Sequence, residues 1–116
     1  MQWKLVDGKV TINGKPVSIH SDRLIKKAFE IGELLILLID YLPALPILEQ
    51  TVIAVDEEGH LQWRIKTPER VLGPNPITGL WMEGDQLLGF LAAGMDIKID
   101  PRTGDWELRD PNSRPW

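Results

Sequence analysis

The chain has 116 residues, a size typical of one domain, and its 43% hydrophobic and 26% charged residues are globular values that exclude a disordered chain. Thirteen basic and seventeen acidic residues give a net charge of −4, and the sequence has no basic stripe, which argues against nucleic acid as a partner. The absence of cysteine excludes disulfides, thiolate nucleophiles and cysteine-based zinc sites.

The amino terminus lacks the apolar central run and the small-residue cleavage site of a secretory signal. The longest apolar run is Leu34–Ile39, whereas a membrane-spanning helix needs about 20 largely apolar residues. Because the chain also has no disulfides, we expect a cytoplasmic protein that does not enter a membrane.

Two hairpin signals, Asp7-Gly8 and Asn13-Gly14, lie on either side of the alternating stretch Lys9–Ile12. Asp-Gly and Asn-Gly are preferred centres of two-residue hairpin turns, since both positions tolerate a positive φ. We therefore predict hairpins over the N-terminal residues 1–22, with three strands at Trp3–Val6, Lys9–Ile12 and Pro16–Ile19.

The stretch Arg23–Tyr41 is compatible with two structures. Apolar residues recur in it at helical spacing, which permits a helix. Gly32 interrupts that pattern, however, and the segment Ile31–Leu38 resembles Glu83–Leu91, which begins with an evident turn. We therefore favour strand, turn and strand in both segments.

A second pattern of strand, Asp-to-Gly turn and strand occurs at Val52–Ile65 and again at Ile97–Leu108. The Asp carboxylate accepts hydrogen bonds from amides two residues on, and the Gly supplies a positive φ. These patterns predict a single all-β domain of antiparallel hairpins that form two blade-like meander sheets, in an open propeller-like or a sandwich arrangement. After the N-terminal hairpins, its parts are a first repeat at 23–66, a linking loop rich in Pro and Gly at 67–78, a second repeat at 79–109 and a tail at 110–116.

Both Asp-to-Gly hairpins resemble a known signature. The first reads Ala54-x-Asp56-x-x-Gly59-x-x-x-Trp63 and resembles the alanine, aspartate, glycine and tryptophan signature of the propeller blades in pyrroloquinoline-quinone dehydrogenases and related proteins. The second, Asp100-Pro101-Arg102-Thr103-Gly104, resembles the Asp-x-x-Thr-Gly part of that signature. It has Lys98 in place of the alanine and Leu108 in place of the tryptophan.

The resemblance implies blade-like sheets with the tryptophan packed between neighbouring blades, and it brings no catalytic residue to this chain. A closed propeller has typically four to eight blades. The chain is therefore too short to be the enzyme, and we expect either an open arrangement of sheets or a ring made of several copies.

Catalytic and metal chemistry find little support in the sequence. The two histidines, His20 and His60, have no metal-ligand spacing, so we predict no metal and no cofactor; we interpret His60 as a solvated turn residue and His20 as part of a loop or cap. Carboxylate pairs are the groups that hydrolyse glycosides, but we interpret the acidic residues as turn formers and edge charges. They lie near predicted strand ends and are Asp40, Asp56, Asp85, Asp96 and Asp100.

Five tryptophans are a high number for a chain with one Tyr and two Phe. Core packing is the favoured interpretation for them. The alternative is an aromatic platform for a sugar, a peptide or a partner surface, for which Trp3, Trp81 and Trp116 are best placed.

The connection Tyr41–Leu48 is largely apolar and contains two prolines, so it should not lie bare in water. Either it covers an open end of the core or it meets another chain.

The predicted function is a non-enzymatic binding protein that holds a protein partner, or another copy of itself, through an apolar and aromatic surface; a small carbohydrate-active or other hydrolase is the alternative. The predicted contact residues are Tyr41, Leu42, Leu45, Ile47, Leu48 and Trp81.

Overall fold

The computed structural model of the protein describes residues 1–17, 24–40, 51–65, 77–91 and 94–109. Over these ranges the chain is all-β and forms three antiparallel sheets, which confirms the predicted fold class. Sheet A has the order β1-β2-β3 and consists of β1 (Trp3–Val6), β2 (Lys9–Ile12) and β3 (Lys15–Pro16). Sheet B has the order β4-β5-β6-β7 and consists of β4 (Ile25–Ile31), β5 (Leu34–Ile39), β6 (Val52–Val55) and β7 (Leu61–Arg64). Sheet C has the order β11-β10-β9-β8 and consists of β8 (Ile77–Glu83), β9 (Gln86–Leu91), β10 (Met95–Ile99) and β11 (Trp106–Leu108).

Sheet A is built by the two predicted hairpin turns. Asp7 and Gly8 have φ angles of 52° and 78°, and Asn13 and Gly14 have φ angles of 51° and 82°. Positive φ at both central positions gives a turn whose twist matches that of the flanking strands. In the described residues the third strand is Lys15–Pro16, which begins one residue earlier than predicted. Residues 18 and 19 of the predicted strand lie outside the described ranges.

The interpretation of strand, turn and strand is correct for both segments that resemble each other. Ile31 pairs with Leu34 around Gly32, and Glu83 pairs with Gln86 around Gly84, so the described residues of Arg23–Tyr41 form no helix. The predicted linking loop is two residues too long, because Ile77 and Thr78 already belong to β8. Ile77 is buried and pairs with Leu91, so β8 begins two residues earlier than predicted.

Sheet B lies in the middle of the molecule, and both of its faces are buried. One set of its side chains packs with Val10 and Ile12 of sheet A, and the other set packs with the inner side chains of sheet C. The set that faces sheet A is Leu35, Leu37, Ile39, Ile53 and Val55. The set that faces sheet C is Ile36, Leu38, Val52, Ala54, Trp63 and Ile65. The three sheets are therefore stacked in chain order, A on B and B on C.

Trp63 joins sheets B and C. Its indole Nε1 donates a hydrogen bond of 2.9 Å to the carbonyl oxygen of Pro101, which lies in the turn between β10 and β11. The same ring lies on Gly104, where an added Cβ would be 2.5 Å from the indole Cε3. The side chain is 8% exposed and lies between neighbouring sheets, which is where the blade resemblance places this tryptophan. The relation to that dehydrogenase family stays a prediction.

Sheet C has no tryptophan at the position that Trp63 occupies in sheet B. The strand register shows that the residue at this position is not the one predicted from the sequence. Ala54 pairs with Trp63 in sheet B, and Lys98 pairs with Glu107 in sheet C. Counting along the sequence from the turn glycine had pointed to Leu108. The difference arises because β7 contains a bulge of one residue after the turn, which shifts its register.

We expect the contact between Trp63 and Gly104 to be visible in a pair of glycine substitutions. Gly14 and Gly104 have nearly equal φ angles of 82° and 79°, but nothing lies within 4 Å of a Cβ at Gly14. Gly14→Ala should cost about 1–2 kcal/mol of unfolding free energy for the left-handed backbone alone. Gly104→Ala should cost roughly 1–3 kcal/mol more, because the methyl group collides with the indole.

Urea denaturation of the two variants measures this difference. Equal losses of unfolding free energy in Gly14→Ala and Gly104→Ala would show that the indole does not press on the turn.

Candidate functional site

Sheet C has an outer face that points away from sheet B. Residues that pair directly across strands lie on one face of a sheet, as do residues two apart along a strand. Because Leu87, Ile97 and Ile99 pack towards sheet B, their neighbours along the strands point outward. We call this outward surface the Trp81 face. Leu88, which pairs with both Trp81 and Lys98, lies at its centre and is fully buried. The members used below are Trp81, Glu83, Phe90, Asp96, Lys98, Glu107 and Arg109.

Trp81 and Phe90 lie side by side on this face because Gly79 leaves room for them. Gly79 pairs with Phe90, and an added Cβ at Gly79 would be 3.4 Å from the Phe90 Cβ and 3.9 Å from Cζ3 of Trp81. Phe90 is 39% exposed, and Trp81 is half-buried. Two aromatic side chains therefore meet at the surface of the terminal sheet.

Arg109 links two acidic residues beside this aromatic pair. Its Nη2 donates to Glu83 Oε2 at 2.7 Å, and its Nη1 lies 3.5 Å from Asp96 Oδ2. Its backbone amide donates to the carbonyl oxygen of Asp96 at 3.0 Å, which anchors the chain just after β11. These groups are exposed, so the ion pairs add at most about 1 kcal/mol of stability. Their main effect is to hold charged groups at fixed positions next to Trp81.

The indole of Trp81 joins the same group, since its Nε1 lies 3.4 Å from Glu83 Oε1. The face thus combines an apolar aromatic centre with a charged rim. Aromatic residues and Arg are enriched at the centres of protein interfaces, where they contribute much of the binding free energy. The arrangement is suited to binding a surface with apolar and charged groups.

Trp3, the other described candidate for an aromatic platform, is used differently. Its ring packs against the cluster between sheets A and B, and its Nε1 donates to Glu30 Oε1 at 3.0 Å. It contributes to the wall of a shallow concavity of about 540 Å³, together with Lys4 and Thr11. Trp3 therefore serves mainly to join sheet A to β4.

The described acidic candidates are engaged in turns or ion pairs. Oδ1 of Asp56 accepts hydrogen bonds from the amides of Glu58 and His60, each at 2.9 Å, and Oδ1 of Asp100 accepts one from the amide of Arg102 at 2.9 Å. The bond from the His60 amide is the main cause that lowers the pKa of Asp56 below its usual value. A depressed pKa keeps this carboxyl charged and suits a turn former rather than a general acid.

Neither the hydrolase alternative nor a metal site gains support from this geometry. Asp96 is bound to Arg109, and over the described ranges no group of three or more His, Asp or Glu side chains could hold a metal ion. His60 is an exposed turn residue beside Asp56 and Glu58. No helix able to cross a membrane occurs in the part of the chain that the structure describes.

Most of the predicted contact residues fall outside the described structure. Tyr41, Leu42, Leu45, Ile47 and Leu48 lie in the range 41–50, which is outside the described residues, as are His20 and Trp116. Trp81 is described and lies on the outer face of sheet C.

Sequence reasoning missed Phe90 and Arg109 as neighbours of Trp81. The signal for Phe90 was the small residue Gly79 opposite it, but that signal is readable only when the register of β8 and β9 is known. Arg109 gave no signal, because its partners lie 26 and 13 residues away along the chain.

The comparisons with known proteins identify a family but no activity. A family model described as "Domain of unknown function (DUF7957)" matches residues 1–110. No curated protein and no solved structure matches the chain.

The lowered pKa of Asp56 predicts a pH dependence of stability. A group whose pKa is lowered on folding stabilises the protein above its unfolded pKa, near 3.8, and this contribution is lost as the pH falls through the lower folded value. We therefore expect wild type to be more stable than Asp56→Asn at pH 7, and the difference to shrink when the pH falls below about 3.8.

Urea denaturation of both proteins from pH 7 to acidic pH tests this expectation. A difference in unfolding free energy that does not change as Asp56 becomes protonated would contradict the assigned role of the carboxylate.

Proposed function

The chain belongs to the DUF7957 family, and we propose that it is a non-enzymatic interaction module that holds a protein partner on the Trp81 face. The observation that carries the proposal is the position of Trp81 and Phe90, which lie side by side on the face of sheet C that points away from sheet B. A partly exposed aromatic pair at a protein surface is a typical feature of a binding site for protein.

The charged rim favours a protein over a sugar as the ligand. A sugar that stacks on an aromatic ring needs free polar groups around the ring for its hydroxyls. Glu83, Asp96 and Arg109 are already bound to one another beside Trp81. Such a network discriminates between charged surfaces and fixes their register, which is the usual contribution of rim charges in protein interfaces. We retain the cytoplasm as the predicted compartment, since the chain has no cysteine.

Site-specific photo-crosslinking tests this function in the cells that naturally produce the protein. We expect a benzoylphenylalanine at position 90, which conserves an aromatic ring there, to give a discrete protein adduct under ultraviolet light. The matched control carries the same photoreactive residue at Leu61, which is 39% exposed like Phe90 but lies on β7 of sheet B. The adduct should be absent from the control.

A second control keeps the photoreactive residue at position 90 and changes Trp81 beside it. Trp81→Ala should weaken the adduct at position 90, because it takes away half of the aromatic pair. If position 90 gives no adduct, or if it gives the same adducts as position 61, the Trp81 face is not a protein-binding surface.

A further inference from the structure

We propose that Arg109 closes the Trp81 face in the free chain, and that the partner opens this face by placing a basic side chain of its own on Glu83 and Asp96. This inference rests on the proposed function, because it describes how the same face is occupied before and after the partner binds. Its basis is a buried leucine that lies between the two ends of an ion pair.

Leu88 is the residue on this face that is covered. It lies on β9, where it pairs with Trp81 on one side and with Lys98 on the other. Leu88 is 0% exposed, whereas Phe90, two residues further along the same strand, is 39% exposed. Side chains stand roughly perpendicular to a sheet, so neighbours in the sheet shield the flanks of a leucine but not its tip. The tip of Leu88 is therefore shielded by a group that reaches over it.

The side chain of Arg109 joins two opposite corners of sheet C, since its Nη2 donates to Glu83 Oε2 at 2.7 Å. Arg109 follows β11 at the level of Phe90, and Glu83 ends β8 at the level of Gln86. Phe90 and Gln86 lie two residues after and two residues before Leu88 on β9. The contact between Arg109 and Glu83 therefore crosses the row of the sheet that contains Leu88, and the guanidinium is the cover.

The contacts that hold this cover are weak enough to exchange. The side chains of Arg109, Glu83 and Asp96 are 40%, 48% and 37% exposed. Ion pairs between groups as exposed as these contribute little stability and are screened by salt. Water can also solvate the guanidinium once it leaves. A second cation can therefore displace Arg109 at a small cost in free energy.

The charges of the face determine which group of a partner fits there. With Arg109 in place, Glu83 and Asp96 are paired. Without it, the members of the face keep three acidic side chains, those of Glu83, Asp96 and Glu107, against the single cation of Lys98. An arginine or lysine of the partner restores the pairing, whereas a carboxylate would be repelled. We therefore expect a partner segment with a basic side chain next to an apolar one, which contacts the uncovered leucine.

Thiol labelling of Leu88→Cys measures whether the face is covered, and the cysteine-free chain gives no background. Adding Arg109→Ala should speed the reaction of this thiol with a maleimide about fivefold, the factor that a weak ion pair can hold back. Arg102→Ala is the matched control, because Arg102 also lies in an exposed ion pair beside sheet C, 3.6 Å from Asp100, and it should leave the rate unchanged. Added salt should speed labelling only while Arg109 is present.

A neighbouring position separates uncovering from a general loosening of the sheet. Leu87 packs towards sheet B, so Arg109→Ala should not speed the labelling of Leu87→Cys. Circular dichroism verifies the fold of each variant. If Leu88→Cys does not fold, hydroxyl-radical footprinting of chains that keep Leu88 reads the same exposure. Equal reactivity at position 88 with and without Arg109, or an equal increase at position 87, would overturn the cover.

Photo-crosslinking from position 90 tests the displacement, because the two sides of one ion pair should have opposite effects. Arg109→Ala should increase the adduct up to about fivefold, since it removes the competitor of the partner's cation. Glu83→Gln together with Asp96→Asn should decrease the adduct, since it removes the acceptors of that cation, although it releases Arg109 as well. If both variants change the adduct in the same direction, or if neither changes it, displacement by a basic side chain is wrong.

The outcomes separate this inference from the function on which it rests. If the thiol at position 88 reacts equally fast with and without Arg109, another part of the chain covers Leu88 and the inference is wrong, while an adduct from position 90 still supports the function. If position 90 gives no adduct in the wild-type background or with Arg109→Ala, the function itself fails, and the proposed partner fails with it.

Discussion

The burial of both faces of β5 and β6 is the constraint on which the rest of the structure depends. Leu35–Ile39 and Val52–Val55 are at most 2% exposed, and side chains that alternate along a strand point to opposite faces. Sheet B is therefore stable only when other parts of the protein shield both of its apolar faces from water. Sheet A supplies one cover through Val10 and Ile12, and sheet C supplies the other.

A sheet covered on both sides explains why the stack has two different ends. Each end sheet has one face that packs on sheet B and one face that points away from it. On sheet C that surface contains Trp81 and Phe90 beside the ion pairs of Arg109. On sheet A it contains Val6 between lysines. The proposed function rests on the first of these two surfaces.

Local signals in the sequence were sufficient for the strands and turns but not for their stacking. Asp7-Gly8, Asn13-Gly14, Gly32 and Gly84 predicted their turns, because the need for a positive φ is a property of a few adjacent residues. The apolar run Leu34–Ile39 has no alternation, so it could not show which of its side chains would face which neighbour.

The candidate site was less accessible to sequence reasoning than the fold. Trp81 was recognised from its residue type, whereas the pairing of Phe90 with Gly79 depends on the register of two strands. The position equivalent to Trp63 was assigned to Leu108 because a bulge in β7 cannot be read from residue spacing. Contacts of Arg109 with Glu83 join residues far apart in the chain and gave no pattern.

Native-state hydrogen exchange tests most directly whether sheet B is the element that holds the stack together. The amides of Leu35–Leu38 and Val52–Val55 should exchange last, with an opening free energy equal to that of global unfolding, because exposing them requires sheets A and C to separate from sheet B. If amides of β9 and β10 remain protected after those of β5 and β6 have exchanged, sheet C is stable without sheet B, and the central claim is wrong.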